Sequence, residues 1–156
     1  MSNIKLLVMD VDGTLTDGKI YTSENGELCK AFNVKDGYGI AQILPKLSIT
    51  PVIITGRSSK IVEKRATELG ITHVYQGISD KLAMLKSIAT EMRLRSEEIA
   101  YIGDDLNDLA CIEFCGFTAC PADAVFEVLR EVDHICKRDG GCGAVREFID
   151  LIADEK

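Results

Sequence analysis

Two patterns of apolar residues alternate along this chain. Short continuous apolar runs are typical of buried strands, whereas apolar residues that recur every three or four positions are typical of amphipathic helices. The runs predict strands at residues 4–9, 51–55, 73–75, 99–102, 117–120 and 134–136. The periodic stretches predict helices at about 38–47, 61–69, 82–92, 106–114, 124–130 and 144–152. This alternation predicts an α/β fold, a doubly wound, Rossmann-like parallel sheet with helices on both faces.

One segment departs from the alternation. Residues 19–22 and 28–32 are strand-like and flank the pair Asn25-Gly26, which suits a tight primed turn, so a small β-hairpin flap is expected at about 18–33. Pro45 lies inside the first helical pattern and is expected to end or kink that helix. No repeat or linker divides the sequence, and residues 1–156 are predicted to form a single domain without a cap domain.

Composition narrows the class of protein. Of the 156 residues, 46% are apolar and 28% are charged, which is ordinary for a globular domain, and no apolar run is long enough to span a bilayer. The N-terminus has no signal-peptide pattern, and we expect a cytoplasmic location. The net charge of −7 without a basic run argues against nucleic-acid or membrane partners, so an anionic substrate must meet a local group of Lys and Arg. The six cysteines lack zinc-site spacing and are expected to be reduced.

The chemistry begins where the first predicted strand ends. Asp10 and Asp12 follow that strand in the sequence Asp10-Val11-Asp12-Gly13-Thr14. Two carboxylates two residues apart suit a nucleophile and a proton donor, because a carboxylate can form a covalent aspartyl-phosphate. Turn formation or metal ligation alone would also explain these two residues. The interpretation of the motif as catalytic therefore depends on which other residues accompany it.

Those partners follow two other strands. Thr55-Gly56-Arg57 comes after the second buried strand, and the segment 103–108, with Asp104, Asn107 and Asp108, comes after the third. Because ligands bind beyond the carboxyl ends of parallel strands, these motifs and Lys81 are expected at one rim. Mg²⁺ favours such carboxylate and phosphate oxygens. Alternatively, the acidic residues of 104–108 only complement a helix dipole, and we favour that explanation for Asp105.

The ordered set of motifs resembles the haloacid dehalogenase superfamily over nearly the whole chain. The resemblance implies that Asp10 is the nucleophile and that Asp12 is the general acid and base, with its backbone carbonyl facing the metal. It implies further that Thr55 binds the phosphoryl group and that Lys81 steadies both this group and the nucleophile. Asp104 is then the third metal ligand, beside Asp10 and Asp12, for Mg²⁺, while Asp108 orients Lys81 or a metal-bound water.

Five further segments look like those of the cap-less 3-deoxy-manno-octulosonate 8-phosphate phosphatases, which act in lipopolysaccharide sugar synthesis. They are 17–18, 32–39, 55–58, 75–77 and 140–147. The resemblance implies an eight-carbon sugar-acid phosphate as substrate, and Arg57 favours it over the nine-carbon sialic-type acid 9-phosphates, whose phosphatases tend to carry Glu there. Ala41 and Lys35 depart from the family pattern, where some members carry Arg.

The remaining site predictions concern substrate and assembly. Arg57 and Arg65 are candidate contacts for the sugar-acid carboxylate, and Gly56, Asn107, Asn33 and Lys35 are further candidates for substrate binding. A hairpin alone cannot seal a site against water, and the resemblance implies a homotetramer in which a C-terminal segment carrying Arg146 reaches a neighbouring site. The glycines of 140–143 would let that segment bend, or they form an ordinary turn before the last helix. A non-catalytic assembly module is the rival function, and a phosphotransferase is a third.

Overall fold

The computed structural model describes residues 3–155 of the chain. Its strands are β1 Leu6–Met9, β2 Tyr21–Ser23, β3 Gly26–Cys29, β4 Thr50–Ile54, β5 His73–Tyr75, β6 Ile99–Ile102, β7 Phe117–Cys120 and β8 His134–Ile135. Its α-helices are α1 Val34–Tyr38, α2 Lys60–Glu68, α3 Lys81–Glu91, α4 Leu109–Phe114, α5 Phe126–Leu129 and α6 Ala144–Asp154.

Six of the strands form one parallel sheet in the order β5-β4-β1-β6-β7-β8. Counted along the chain, these strands run 3-2-1-4-5-6, which is the doubly wound order. The strands β2 and β3 pair only with each other and are antiparallel. The predicted fold class, a Rossmann-like sheet with a small hairpin, is therefore confirmed.

The central strand is buried on both faces. Leu7 and Met9 of β1 point into one apolar core, and Leu6 and Val8 point into the other; all four are fully buried. Residues of α2 and α6 line the first core, and residues of α3, α4 and α5 line the second. Burial on both faces explains why β1 reads as a continuous apolar run rather than as an alternating one.

The first helix and the hairpin turn differ from their predictions. Helix α1 begins at Val34, earlier than expected, because the side chain of Asn33 accepts a hydrogen bond from the amide of Lys35. A wide turn at Gly39–Ile43 and a 3₁₀ turn at Leu44–Leu47 continue it past Pro45. At the hairpin turn, Ser23 pairs with Gly26, which has a positive φ of +114°, whereas the φ of Asn25 is not positive. A primed turn centred on Asn25-Gly26 would need a positive φ at Asn25 too, so that turn prediction was wrong.

Other boundaries shift by a few residues. The helix expected at 106–114 begins as a 3₁₀ turn at Leu106–Asp108, and the helix expected at 124–130 shortens to α5. The longest helices, α3 and α6, have 11 residues each. Within residues 3–155, none of the helices has the length and apolar character needed to cross a bilayer.

The N-terminus of α6 is capped by a residue from another helix. Gly143 precedes α6 with a φ of +105° and has no side chain for capping. Instead, Asp36 Oδ1 on α1 accepts a hydrogen bond from the Arg146 amide at 2.8 Å. Asp36 is buried, and among the described residues its Oδ2 has no hydrogen-bond partner. Burial raises the pKa of Asp36 to about 6, against the opposing effects of the Arg146 amide and of the charges on Arg146 and Arg65.

Asp36→Asn is expected to remove one component of the pH dependence of stability. Because the folded-state pKa of about 6 lies above the ordinary 3.8, stability gained from the protonated carboxyl is complete below about pH 4 and is lost as pH rises through about 6. The free energy of unfolding of wild type relative to this variant should fall by up to about 3 kcal/mol over that interval. Urea unfolding at several pH values measures it.

The exposed Asp154 of α6 supplies the control on the same helix, and we expect the stability of Asp154→Asn to vary with pH as that of wild type does. Parallel profiles for wild type and Asp36→Asn would show that the carboxyl of Asp36 titrates normally.

Candidate active site

The carboxyl ends of three neighbouring strands bring the polar motifs together. Strand β1 lies between β4 and β6, and the sheet order reverses on either side of it. Asp10 directly follows β1, Thr55 directly follows β4, and Asp104 lies two residues beyond β6. The amide of Asp10 donates to the carbonyl of Ile102 at 3.1 Å, which extends the sheet pairing to the rim. This rim is where an open α/β sheet binds its ligands.

Lys81 connects two buried carboxylates at this rim. Its Nζ lies 2.8 Å from Asp10 Oδ1 and 2.8 Å from Asp108 Oδ1, and its side chain is 1% exposed. Asp80 caps α3 by accepting from the Ala83 amide, so that α3 begins at Lys81. Burial disfavours the ammonium charge, but the carboxylates of Asp10 and Asp108 outweigh it and raise the pKa of Lys81. Lys81 is therefore a fixed cation beside Asp10.

Asp108 is held by donors on both oxygens. The Tyr101 hydroxyl donates to its Oδ1 at 2.6 Å, and the amides of Asp104 and Asp105 donate to its Oδ2 at 3.0 and 3.2 Å. With Lys81 as the fourth donor, this fully buried carboxylate cannot reorient. Its geometry suits orientation of Lys81. The Asp105 carboxylate accepts from the Leu106 amide at 2.7 Å and caps the 3₁₀ turn Leu106–Asp108, at a helix N-terminus where a negative charge complements the dipole.

Negative charge is concentrated at the same point. Carboxylate oxygens of Asp10, Asp104 and Asp108 lie within 4.8 Å of one another. Burial, together with the charge of Asp10, raises the pKa of Asp104 to about 8. Burial and the charge of Asp108 raise the pKa of Asp10 to about 6, although Lys81 opposes this. A hard divalent cation such as Mg²⁺, which prefers carboxylate oxygens, would relieve this excess of charge, so the donor set fits the predicted metal.

The glycine of the first motif is required sterically. Gly13 has a φ of +92°, and a Cβ atom built there would lie 2.0 Å from Asp104 Oδ2. Any side chain would therefore displace Asp104. The hydroxyl of Thr14 donates to Asp104 Oδ1 at 3.2 Å from the same loop. The loop after β1 thus supports the carboxylate that follows β6.

The carboxylate of Asp12 faces away from the acidic cluster, toward two cations. Its Oδ1 lies 2.5 Å from Lys30 Nζ, and its Oδ2 lies 4.0 Å from Arg57 Nε. Across the rim, a Cβ atom on Gly56 would lie 3.8 Å from Asn107 Nδ2, so these two residues are neighbours. In addition to Asp10, Lys81 and Asp104, the structure therefore brings five predicted site residues to the rim: Asp12, Thr55, Gly56, Arg57 and Asn107.

Four predicted substrate contacts lie elsewhere in the chain. Asn33 caps α1 by accepting a hydrogen bond from the amide of Lys35, the second residue of that helix. Arg65 lies over the ring of Phe32 and donates to Glu68 at 3.3 Å. Arg146 forms a two-atom contact with Asp150 and lies over the ring of Tyr38. Within residues 3–155 these four side chains have no contact with the carboxylates of the rim, so their substrate roles stay predictions.

The glycine-rich segment 140–143 packs within its own chain. The amide of Gly141 donates to the carbonyl of Thr14 at 3.1 Å, and a Cβ atom on Gly140 would lie 1.9 Å from the carbonyl oxygen of Gly13. The segment is therefore a turn that supports the loop after β1 and leads into α6. Of the two explanations offered by the sequence, the structure of the single chain agrees with the turn.

A second group of metal-binding residue types is already occupied by protein donors. Ligand atoms of His134, Cys136 and Glu147 lie within 4.8 Å of one another. The Glu147 carboxylate accepts from the amides of Lys137 and Arg138 and pairs with His134 at 3.3 Å. Burial raises the pKa of the Cys136 thiol to about 12. These contacts anchor the turn after β8 to α6.

Three residues at the rim were missed by sequence reasoning. Lys30 lies among apolar hairpin residues and gave no signal of its contact with Asp12. Thr14 is part of the first motif, yet only its distance to Asp104 reveals its function. Tyr101 lies in a predicted strand. A phenolic hydroxyl in a buried strand needs a hydrogen-bond partner, and this requirement is the sequence feature that points to the contact with Asp108.

Comparison with known proteins agrees with the fold and the rim chemistry. The family model for haloacid dehalogenase-like hydrolases matches residues 67–149, more than half of the chain. Relatives at 47% identity span almost all of it. The chain therefore belongs to the haloacid dehalogenase-like hydrolases.

Within that class, the relatives share one description. The 3-deoxy-D-manno-octulosonate 8-phosphate phosphatase KdsC of Escherichia coli strain K12 is 47% identical over 150 residues, which cover 96% of this chain and 79% of the relative. The crystal structure of the phosphatase of that name from Yersinia pestis has a TM-score of 0.93 and 47% identity, and covers 97% of this chain and 81% of that one. The Moraxella catarrhalis phosphatase, in complex with magnesium, phosphate and KDO, has a TM-score of 0.95 and 42% identity, with coverages of 99% and 88%.

Lys81→Met is expected to lower the free energy of unfolding by about 3–5 kcal/mol in metal-free protein near neutral pH, because it leaves Asp10 and Asp108 buried without their cation. Adding Asp108→Asn to Lys81→Met should recover part of that loss, since one uncompensated charge is removed. Urea unfolding of the single and double variants measures both effects.

Lys86→Met is the control on the same helix, because Lys86 is exposed and its Nζ lies over the face of Phe114. We expect it to cost less than about 1 kcal/mol. A similar cost for the two lysine substitutions would mean that the buried ion pairs do not stabilise the fold.

Proposed function

We propose that this chain is a Mg²⁺-dependent phosphatase that hydrolyses 3-deoxy-D-manno-octulosonate 8-phosphate through an aspartyl-phosphate on Asp10. The observation that carries the proposal is the meeting of Asp10, Lys81 and Asp104 at one sheet rim. It occurs in a chain that is 47% identical to a phosphatase of that name, and a structural neighbour contains magnesium, phosphate and KDO.

In this mechanism Asp10 attacks phosphorus, and the bond between phosphorus and the sugar oxygen breaks. Lys81 holds Asp10 at 2.8 Å and supplies a positive charge beside the anionic phosphoryl group. Asp10, Asp104 and the backbone carbonyl of Asp12 would hold Mg²⁺, and its positive charge would offset repulsion between the carboxylate and the phosphoryl group. Thr55 donates its hydroxyl to a phosphoryl oxygen.

Asp12 serves as the general acid and base. In the first half-reaction it protonates the departing sugar oxygen, and in the second it removes a proton from the water that attacks the aspartyl-phosphate. Its position two residues after the nucleophile, with the carboxylate turned away from the acidic cluster, supports this division of roles. Phosphate is then released and Asp10 is regenerated.

Contacts with the sugar acid come from the edge of the rim. In this proposal Arg57, whose side chain is 54% exposed beside Asp12, binds the carboxylate of the leaving group, and Gly56 and Asn107, which are neighbours of each other, add further contacts. We assign Asn33, Lys35, Arg65 and Arg146 to further substrate contacts in a site completed by a second subunit. That assignment rests on the family resemblance, because in one chain the contacts of Asn33, Arg65 and Arg146 are with residues away from the rim motifs.

The test is a panel of substrates with a nucleophile control. Wild type with Mg²⁺ is expected to hydrolyse the eight-carbon sugar-acid 8-phosphate with a higher kcat/KM than nine-carbon sialic-type 9-phosphates, and chelation of the metal should abolish turnover. Asp10→Asn should lower turnover by at least about 1,000-fold while leaving the circular dichroism spectrum unchanged. Phosphate release measures activity.

Each rival function has its own result in this panel. Preference for nine-carbon substrates would reassign the substrate, and absence of turnover with every phosphate ester would favour an assembly module. Activity retained in Asp10→Asn would remove Asp10 as the nucleophile.

We further propose that residues 1–156 form a single cytoplasmic domain that assembles as a homotetramer through the hairpin. Four large apolar side chains on the hairpin and the adjacent α1 are at least half exposed: Ile20, Leu28, Val34 and Tyr38. A two-stranded hairpin is only marginally stable by itself, so these side chains are suited to packing against other copies of the chain.

Light scattering is expected to give a mass of about four chains of 17.1 kDa for wild type and a smaller mass for Leu28→Asp. Phe126→Asp is the control, because Phe126 is equally exposed, at 67% against 66% for Leu28, but lies on α5 rather than on the hairpin. A tetramer that survives Leu28→Asp would exclude the hairpin as the interface.

A further inference from the structure

One buried cation joins the hairpin to the rim. Lys30 directly follows β3, whose four residues are all exposed, yet the side chain of Lys30 is only 3% exposed. Its Nζ lies 2.5 Å from Asp12 Oδ1 and 3.0 Å from Glu27 Oε1. A lysine in a surface hairpin normally keeps its ammonium group in water. Here the ammonium group is instead held between two carboxylates.

The second carboxylate extends this connection to α2. Glu27 Oε2 accepts a hydrogen bond from the hydroxyl of Ser59 at 2.6 Å, and that hydroxyl in turn caps α2 by accepting from the Ile61 amide at 3.2 Å. The amide of Ser59 donates to Gln76 Oε1 at 2.8 Å. A continuous polar chain therefore runs from Asp12 through Lys30 to the end of the segment that carries Thr55 and Arg57.

Lys30 is the main constraint on the orientation of the Asp12 carboxylate. Asp12 has φ −72° and ψ 114°, which is non-helical, and its side chain is 22% exposed. Arg57 Nε lies 4.0 Å from Asp12 Oδ2, which is too long for a hydrogen bond. Within residues 3–155, the contact with Lys30 is the one recorded hydrogen bond to this carboxylate. Without it, Asp12 could rotate freely toward solvent.

We infer that Lys30 is the positioning residue for Asp12. It holds the carboxyl group of Asp12 where this group can donate a proton to the leaving oxygen. The inference rests on the proposed function, in which Asp12 is the general acid. Lys30 acts through Asp12 and touches neither the phosphoryl group nor the nucleophile. Because a general acid works only within hydrogen-bond reach of its proton acceptor, a displacement of about 1 Å costs on the order of 100-fold in rate.

The leaving group distinguishes this role from a structural one. An alkoxide needs a proton in order to leave, whereas p-nitrophenolate leaves without one. Lys30→Met should therefore lower kcat/KM for alkyl phosphates by about 10- to 100-fold, but for p-nitrophenyl phosphate by less than about 3-fold. Across a series of aryl phosphates, log kcat/KM should fall more steeply with leaving-group pKa in Lys30→Met than in wild type. The parameter kcat/KM reports the steps up to formation of the aspartyl-phosphate. It does not include the later hydrolysis of that intermediate, which is the same for all substrates.

Two matched variants accompany the measurement. Lys30→Arg keeps a cation near Asp12 and should recover part of the alkyl phosphate activity. Lys19→Met removes an exposed lysine just before β2 and should leave both activities unchanged. Thermal unfolding and light scattering check that the fold and assembly of each variant are retained.

Equal losses for aryl and alkyl phosphates in Lys30→Met would show that Lys30 only holds the hairpin in place, and no loss with either would exclude any role in Asp12 function. Both results would overturn the inference while the phosphatase itself remained active. If wild type hydrolysed no phosphate ester at all, the proposed function would fail first, and the role of Lys30 with it.

Discussion

Electrostatic repulsion among three closely spaced carboxylates is the constraint on which the rest of this structure depends. Asp10, Asp104 and Asp108 converge within 4.8 Å, and within residues 3–155 Lys81 is the one cation paired with this cluster. Because burial and mutual repulsion raise the pKa values of Asp10 and Asp104, the arrangement costs stability in the absence of a further cation. The apolar cores on both faces of the sheet offset that cost. The same unfavourable charge is what draws a divalent cation to the rim.

Backbone packing keeps the charged groups in position. Gly13 lets the loop after β1 approach Asp104, and the turn at 140–143 supports this loop from the other side through Gly140 and Gly141. That turn leads into α6, whose N-terminus is capped by Asp36 from α1. The turn at 140–143 therefore packs against the loop that carries the first motif. Substitutions near α6 can thus displace residues of the site without contacting the substrate.

In the proposed function, the hairpin links catalysis to assembly. Its exposed apolar side chains are suited to contacts between subunits, while Lys30 at its base reaches the carboxylate of Asp12. On that proposal, a change in hairpin position would alter both the enclosure of the site and the orientation of Asp12. The hairpin thus contributes to the site even though it is too small to form a cap by itself.

The sequence alone was sufficient for the parallel sheet, the two faces of helices and the motif residues of the rim, Asp10, Thr55 and Asp104. Strands that are buried on both faces of a parallel sheet appear in the sequence as continuous apolar runs. The motifs directly follow those runs, so their positions in the chain already predict that Asp10, Thr55 and Asp104 lie at one edge of the sheet. Tertiary structure alone decided which groups pair across distant segments. Lys30 with Asp12, Asp36 with the amide of Arg146, and Tyr101 with Asp108 are contacts between side chains whose partners depend on how loops and helices pack. Neither hydrophobic periodicity nor secondary-structure propensity predicts such pairings. Their energies arise only when burial prevents these polar groups from hydrogen-bonding to water.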